Sequence, residues 1–192
     1  AQIAQRKWED VGIEKRANIL HNIGSELINQ SKEIGTLLSR EEGKTLPEGI
    51  GEVVRSGQQF QYYAASALRQ FGENIASTRE GVSVELTREP IGVCGIISPW
   101  NFPIAIAAWK SAPAMAFGNA IVLKPASQTP ASAIALTKII SEQKDIPEGL
   151  FNLVLGSGGT IGHQISEHRN INAISFTGSV NVGQTIYKEA AK

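Results

Sequence analysis

The sequence predicts an α/β fold, a parallel sheet with flanking helices preceded by a helical segment. Two patterns carry that reading. From Ile91 onward, short apolar runs alternate with longer Ala-rich stretches, the signature of strand–helix–strand units with right-handed crossovers. Ahead of them, apolar residues recur at the three-or-four spacing of amphipathic helices. The 192 residues suffice for one sizeable domain, and a 42% hydrophobic content is that of an ordinary globular chain.

Taken in order, residues 13–42 place Ala17, Leu20, Ile23, Leu27, Ile34 and Leu38 along one side of a helix. Gly43 is its C-terminal stop, while Gly24 and Gly35 weaken its interior. Pro47 opens a second helix, expected to run to about Gln70 before Gly72. Val54, Tyr62, Ala65 and Leu68 would form its inner side. Residues 82–87 alternate apolar with polar, the period of a half-exposed strand whose edge needs a partner. Strands follow near 92–97, 120–124, 151–155 and 172–176, and helices near 104–117, 130–143, 159–167 and 179–191. Pro113 is expected to kink the first of these helices. The chain thus divides into a helical segment over 1–78, a strand segment over 79–90 and the α/β unit over 91–192.

Eighteen basic residues balance eighteen acidic ones, which favours neither nucleic acid nor an anionic membrane as partner. Apolar runs stay short of a membrane span, no signal segment opens the chain, and a cytoplasmic address is expected. The chain begins without Met and stops at Ala190-Ala191-Lys192 within a helical pattern, so it reads as a fragment of a longer protein. Its single cysteine, Cys94, cannot form an internal disulfide and lies in a buried strand, where a thiol behaves as a small hydrophobe. His21, His163 and His168 are scattered and imply no metal site.

The densest stretch is Ser98-Pro99-Trp100-Asn101-Phe102-Pro103, where a strand hands over to a helix. That handover is where parallel sheets bind ligands. An amide held between prolines suits a developing oxyanion, although Asn alone is also a routine turn residue. Gly156-Ser157-Gly158-Gly159-Thr160-Ile161-Gly162 only approximates a Rossmann fingerprint, and such turns also arise for steric reasons. Phe176-Thr177-Gly178-Ser179 joins a strand to a helix N-terminus that could hold a pyrophosphate, or could simply be capped by Ser179. Lys124 ends an apolar run at a strand's carboxyl end, where it would face the ligand crevice or solvent.

With Lys124-Pro125-Ala126-Ser127 and Phe176-Thr177-Gly178-Ser179 in register, the stretch resembles the NAD(P)-dependent aldehyde dehydrogenase superfamily over nearly the whole chain. The similarity is strongest to its succinate-semialdehyde and 2-oxoglutarate-semialdehyde branch. The resemblance implies a Rossmann-like cofactor domain, incomplete here, with the catalytic domain absent. A cysteine and a glutamate beyond Lys192 would carry an aldehyde to the acid through a thiohemiacetal and a thioester, with NAD or NADP as acceptor.

It further implies catalytic roles for Asn101, whose amide would hold the oxyanion, and Lys110, linked to proton movement. Ser98, Pro99, Trp100, Asn101, Lys124, Ala126 and Ser127 would contact the cofactor, as would Gly158, Gly162, Phe176, Thr177, Gly178, Ser179 and Val182. Phe102 and Trp109 would line the aldehyde passage. Lys110, Phe102 and Trp109 read equally as solvated or core residues by spacing alone. Ser127 stands where many NAD-preferring relatives carry glutamate, which implies that NADP is tolerated. Residues 79–90 would join a bridging sheet in a homodimer or homotetramer acting on a small aldehyde. A naturally truncated, non-catalytic dinucleotide-binding or subunit-interaction module is the alternative.

Overall fold

The computed structural model describes residues 1–69 and 72–191. The chain opens with α1 (Gln2–Asp10), α2 (Ile13–Asn29), α3 (Ser31–Glu42) and α4 (Leu46–Ala67). Helix α1, which the sequence did not signal, docks through buried Trp8, whose Nε1 donates to the Met115 carbonyl at 2.8 Å. The single helix expected over 13–42 is broken at Gln30. Leu27 and Ile34 are seven positions apart, two helical turns, so the apolar period runs through the break unmarked. Gly43 does end α3, in the left-handed conformation with φ 97°. Thr45 and Glu48 then form a capping box that starts α4 beside Pro47.

The expected inner face of α4 is wrong by one register. Tyr62, Ala65 and Leu68 are exposed and Val54 half-buried, whereas Glu52, Val53, Ser56, Gly57, Phe60, Ala64 and Ala67 are buried. Close approach of backbones, not apolar bulk, selects the face. A Cβ on Gly57 would stand 2.5 Å from the Gly24 carbonyl oxygen, where α4 crosses α2. Gly24 is therefore a contact point rather than a weak one. The predicted helix end near Gln70 lies outside the described residues.

The strand expected over 82–87 is β2 (Ser83–Leu86), and it pairs antiparallel with β1 (Glu73–Ala76), Ile75 opposite Val84. Its partner lies inside the segment read as helical up to residue 78. Every residue of both strands is exposed, not half-exposed, because no third layer among the described residues covers either side of this ribbon.

Strands β3 (Val93–Ile97), β4 (Ala120–Lys124), β5 (Phe151–Leu153) and β6 (Ala173–Phe176) form a parallel sheet in the order β5-β4-β3-β6. Helices α5 (Ala105–Ala116), α6 (Pro130–Ser141), α7 (His163–Glu167) and α8 (Val180–Ala190) fall where the sequence places them. The helix expected over 159–167 begins, however, as a π-helical turn over Gly158–Gly162, and Pro113 stands in the last turn of α5. On one face, Ile96, Ile121 and Leu123 pack with Ala108, Met115 and Leu136 of α5 and α6, which α2–α4 cover in turn. On the other, among the described residues, Ile97 has Ile165 of α7 and Ile186 of α8 as its buried partners.

Gly57→Ala tests the close crossing. The added methyl group must push α4 from α2, so unfolding free energy should fall by about 1–3 kcal/mol, read as a lower urea midpoint at unchanged slope.

Candidate active site at the carboxyl edge of the sheet

Because the four strands run parallel, their carboxyl ends share one edge, where loops rather than ladders present side chains. Ladder-like bonds keep the loop bases together: Ser98 N–H donates to the Lys124 carbonyl at 3.2 Å and Thr177 N–H to the Ile97 carbonyl at 3.1 Å. A cleft of about 590 Å³ opens between these loops. Ser98, Pro99, Trp100, Asn101, Lys124, Ala126, Ser127, Gly158, Phe176, Thr177, Gly178, Ser179 and Val182 all line it. Gly162 does not. It borders an adjoining cavity of about 330 Å³ between α7 and α8, with Ile97, His163, Val182 and Glu189.

Polar groups on the floor of the cleft are short of partners. Lys124 is buried at the end of β4, and its Nζ donates to the Pro125 carbonyl at 2.6 Å, leaving further N–H donors on the ammonium. Burial pushes its pKa below the ordinary lysine value. The Ser98 hydroxyl is buried with no hydrogen-bond partner among the described residues. Such groups cost free energy unless a ligand satisfies them. Gly158 meets nothing within 4 Å of an added Cβ, so the approach to the π-helical turn is open.

Two hydroxyls are already committed. Ser179 Oγ caps α8 by accepting from the Val182 N–H at 3.4 Å. Ser127 Oγ donates to the Gly156 carbonyl at 3.1 Å, tying the loop after β4 to the loop after β5. Its proton is spent within the chain.

Asn101 is exposed in the bend between β3 and α5. With Trp100 it also lines a second cleft of about 530 Å³, which holds Phe102, Trp109, Ala105 and Arg55. Phe102 and Trp109 are 48% and 46% exposed and so are wall residues rather than core. Lys110 borders neither cleft. It is half-buried, donates to Ser175 Oγ of β6 at 2.8 Å, and burial lowers its pKa.

Residues that sequence spacing did not single out anchor this edge from below. Glu52 of α4 is buried, and its Oε1 accepts from the N–H groups of Ile104 and Ala105 at 3.1 and 3.0 Å. Its Oε2 accepts from Lys44 Nζ at 2.6 Å, and Lys44 also donates to the Asn101 carbonyl at 3.0 Å. Glu41 does the same for α6, accepting from Ala131 and Ser132 N–H at 2.8 Å each and from the Ser132 hydroxyl. A carboxylate inside the small-residue stripe of α4 was the available signal, since buried glutamates are nearly always paired.

His163 Nδ1 lies 2.8 Å from Glu189 Oε1, bridging α7 and α8. Cys94 sits in β3, where burial raises its thiol pKa and keeps it protonated. Alkylation of Cys94 by iodoacetamide at neutral pH should therefore run at least about 100-fold slower in the folded chain than in urea, followed by mass. Equal rates would mean an accessible, ionised thiol.

An aldehyde dehydrogenase family model matches residues 1–192. The alpha-ketoglutaric semialdehyde dehydrogenase of Bacillus subtilis is 41% identical over 192 residues, 99% of this chain and 39% of that protein. An NADP(+) succinate-semialdehyde dehydrogenase of Escherichia coli is 35% identical, over 96% of this chain and 38% of its own length. Among solved structures, betaine aldehyde dehydrogenase from Staphylococcus aureus in complex with NAD+ superposes with a TM-score of 0.95 at 32% identity, covering 99% of this chain and 38% of that one. The chain thus spans about two fifths of the length of these relatives. With the motifs, the parallel sheet and a match that runs from the first residue to the last, this chain belongs to the aldehyde dehydrogenase family.

Proposed function

We propose that these residues form the cofactor-binding portion of an enzyme that oxidises an aldehyde, specifically a semialdehyde, to the carboxylic acid with NAD+ or NADP+. One observation carries the reading: Trp100 and Asn101 line both the cleft at the sheet edge and the aromatic cleft beside it, so a dinucleotide and an aldehyde would meet at Asn101. The semialdehyde assignment draws on the relatives named above.

The cleft fits a dinucleotide. Lys124 and the unpartnered Ser98 hydroxyl would donate to it, and the N-terminus of α8 at Gly178-Ser179 would face its phosphates. The apolar cavity between α7 and α8 would take its flat base. When bound, the nicotinamide supplies the hydride acceptor. Asn101 would donate its side-chain amide to the oxygen of the reacting carbonyl as charge develops there. Cys94 is too buried to attack, so the nucleophile and the general base would come from outside residues 1–192. The exposed β1–β2 ribbon would pair with another subunit. No helix among the described residues is long and apolar enough to cross a membrane.

The test is NAD(P)H formation by the full-length enzyme containing these residues, supplied with succinate semialdehyde and 2-oxoglutarate semialdehyde. No aldehyde-dependent reduction of either cofactor would overturn the reading. In that enzyme Asn101→Ala should lower kcat by roughly 100-fold while NAD(P)+ affinity holds. Lost cofactor binding at normal kcat would make Asn101 a turn residue only.

Cofactor choice follows from a missing charge. A carboxylate at 127 would accept from the ribose hydroxyls of NAD+ and repel the 2′-phosphate of NADP+. Ser127 removes that repulsion, though with its proton on Gly156 it adds no donor. Ser127→Glu should shift kcat/KM toward NAD+ by about 100-fold relative to NADP+. An unchanged ratio would show that position 127 does not face the ribose.

A further inference from the structure

We propose that the buried Lys44–Glu52 ion pair is a positioning device for Asn101, a role that rests on the aldehyde-oxidising reading above. The segment from Pro99 to Pro103 is poorly placed to hold itself. Its prolines have no N–H to donate, Asn101 and Phe102 lie on an exposed bend, and α5 holds it through one bond, Ile106 N–H to the Phe102 carbonyl at 3.1 Å. Further anchors are brought from α4 and the turn before it.

Lys44 Nζ donates to the Asn101 carbonyl at 3.0 Å and lies 4.3 Å from the centroid of the Phe102 ring. Glu52 holds the other end of the segment through the N–H groups of Ile104 and Ala105. The two side chains are joined at 2.6 Å and are only 11% and 2% exposed, so water and salt screen the pair little. One ion pair therefore fixes the backbone on both sides of Pro103. Loss of the pair removes the Lys44 bond to the Asn101 carbonyl and leaves the Ile106 bond to Phe102 in place, so Asn101 is the residue set free. Both side chains border the aromatic cleft, and their hydrogen bond into the bend is made to the Asn101 backbone. The pair acts through Asn101.

The experiment is a double-mutant cycle in the full-length enzyme. Removing Lys44 alone strands a buried carboxylate, so the primary variant is Lys44→Met with Glu52→Gln, which removes both charges of the pair at similar shape and leaves Glu42, 3.8 Å from Nζ, still accepting from the Lys44 backbone N–H. It should lower kcat by about 10- to 100-fold with Kd for NAD(P)+ within about twofold, because a misplaced oxyanion donor is felt in the transition state. In an Asn101→Ala background the same pair of substitutions should cost less than about threefold. Lys44→Arg, which keeps a cation within reach of both partners, should recover most of the loss. An equal factor in both backgrounds, or a loss of kcat matched by loss of cofactor affinity, would overturn the inference while leaving the proposed activity intact. Absence of any aldehyde oxidation by the parent enzyme would instead remove the reading on which it rests.

Discussion

One carboxylate holds the two halves of this chain in register. Glu52 is buried in the interface between α4 and α5, where an ionised group is costly unless paired. It meets a cation on one oxygen and two helix-terminal N–H groups on the other. Those N–H groups are among the donors that α5 cannot satisfy internally, and they carry the positive end of its dipole. Truncating a partner in such an arrangement typically costs about 3–5 kcal/mol, a large share of a domain's net stability. Glu41 repeats the solution at α6, so the first residues of both crossover helices on that face are capped from the N-terminal helices. The helical segment is therefore not a separate module but the seating for the sheet's loops.

The sheet is covered unequally as a result. Its α5/α6 face is backed by a second layer of helices and is almost closed to water. Its α7/α8 face buries little beyond Ile97, Ile165 and Ile186. Ile97 is consequently both core and cavity wall, the point where packing ends and open space begins. The backed face carries the Asn101 bend, held through Glu52 and Lys44, while the thin face leaves a cavity between two short helices.

Much of this was legible in the residues. The parallel strands are largely apolar runs, with one polar residue each in β5 (Asn152) and β6 (Ser175), and such runs read the same way whatever they pair with. Residues from Ser98 to Asn101, Lys124, Ala126 and Ser127, and Phe176 to Ser179 end up around one cleft because each group lies at the end of a strand of the same sheet. What stayed hidden depends on partners far away in sequence. Helix α1 is held through Trp8 by a carbonyl 107 residues distant, and Glu52 and Glu41 act across 52 and 91 residues. The face of α4 was misread because helix crossings are chosen by glycine and serine, which hydrophobic counting ignores. That the Ser127 hydroxyl is already engaged was not legible, since Gly156 is adjacent only in space.

The separation between Glu52 and its helix partners has a temporal side. During synthesis α2, α3 and α4 leave the ribosome before α5 exists, and the surface they must later bury waits in water. A carboxylate and an ammonium at the centre of that surface remain hydrated in the interval, which makes an otherwise apolar face less adhesive to other nascent chains. The β1–β2 ribbon lies within the intervening loop and shortens it by pairing with itself, reducing the chain entropy lost when Glu52 finally meets Ala105.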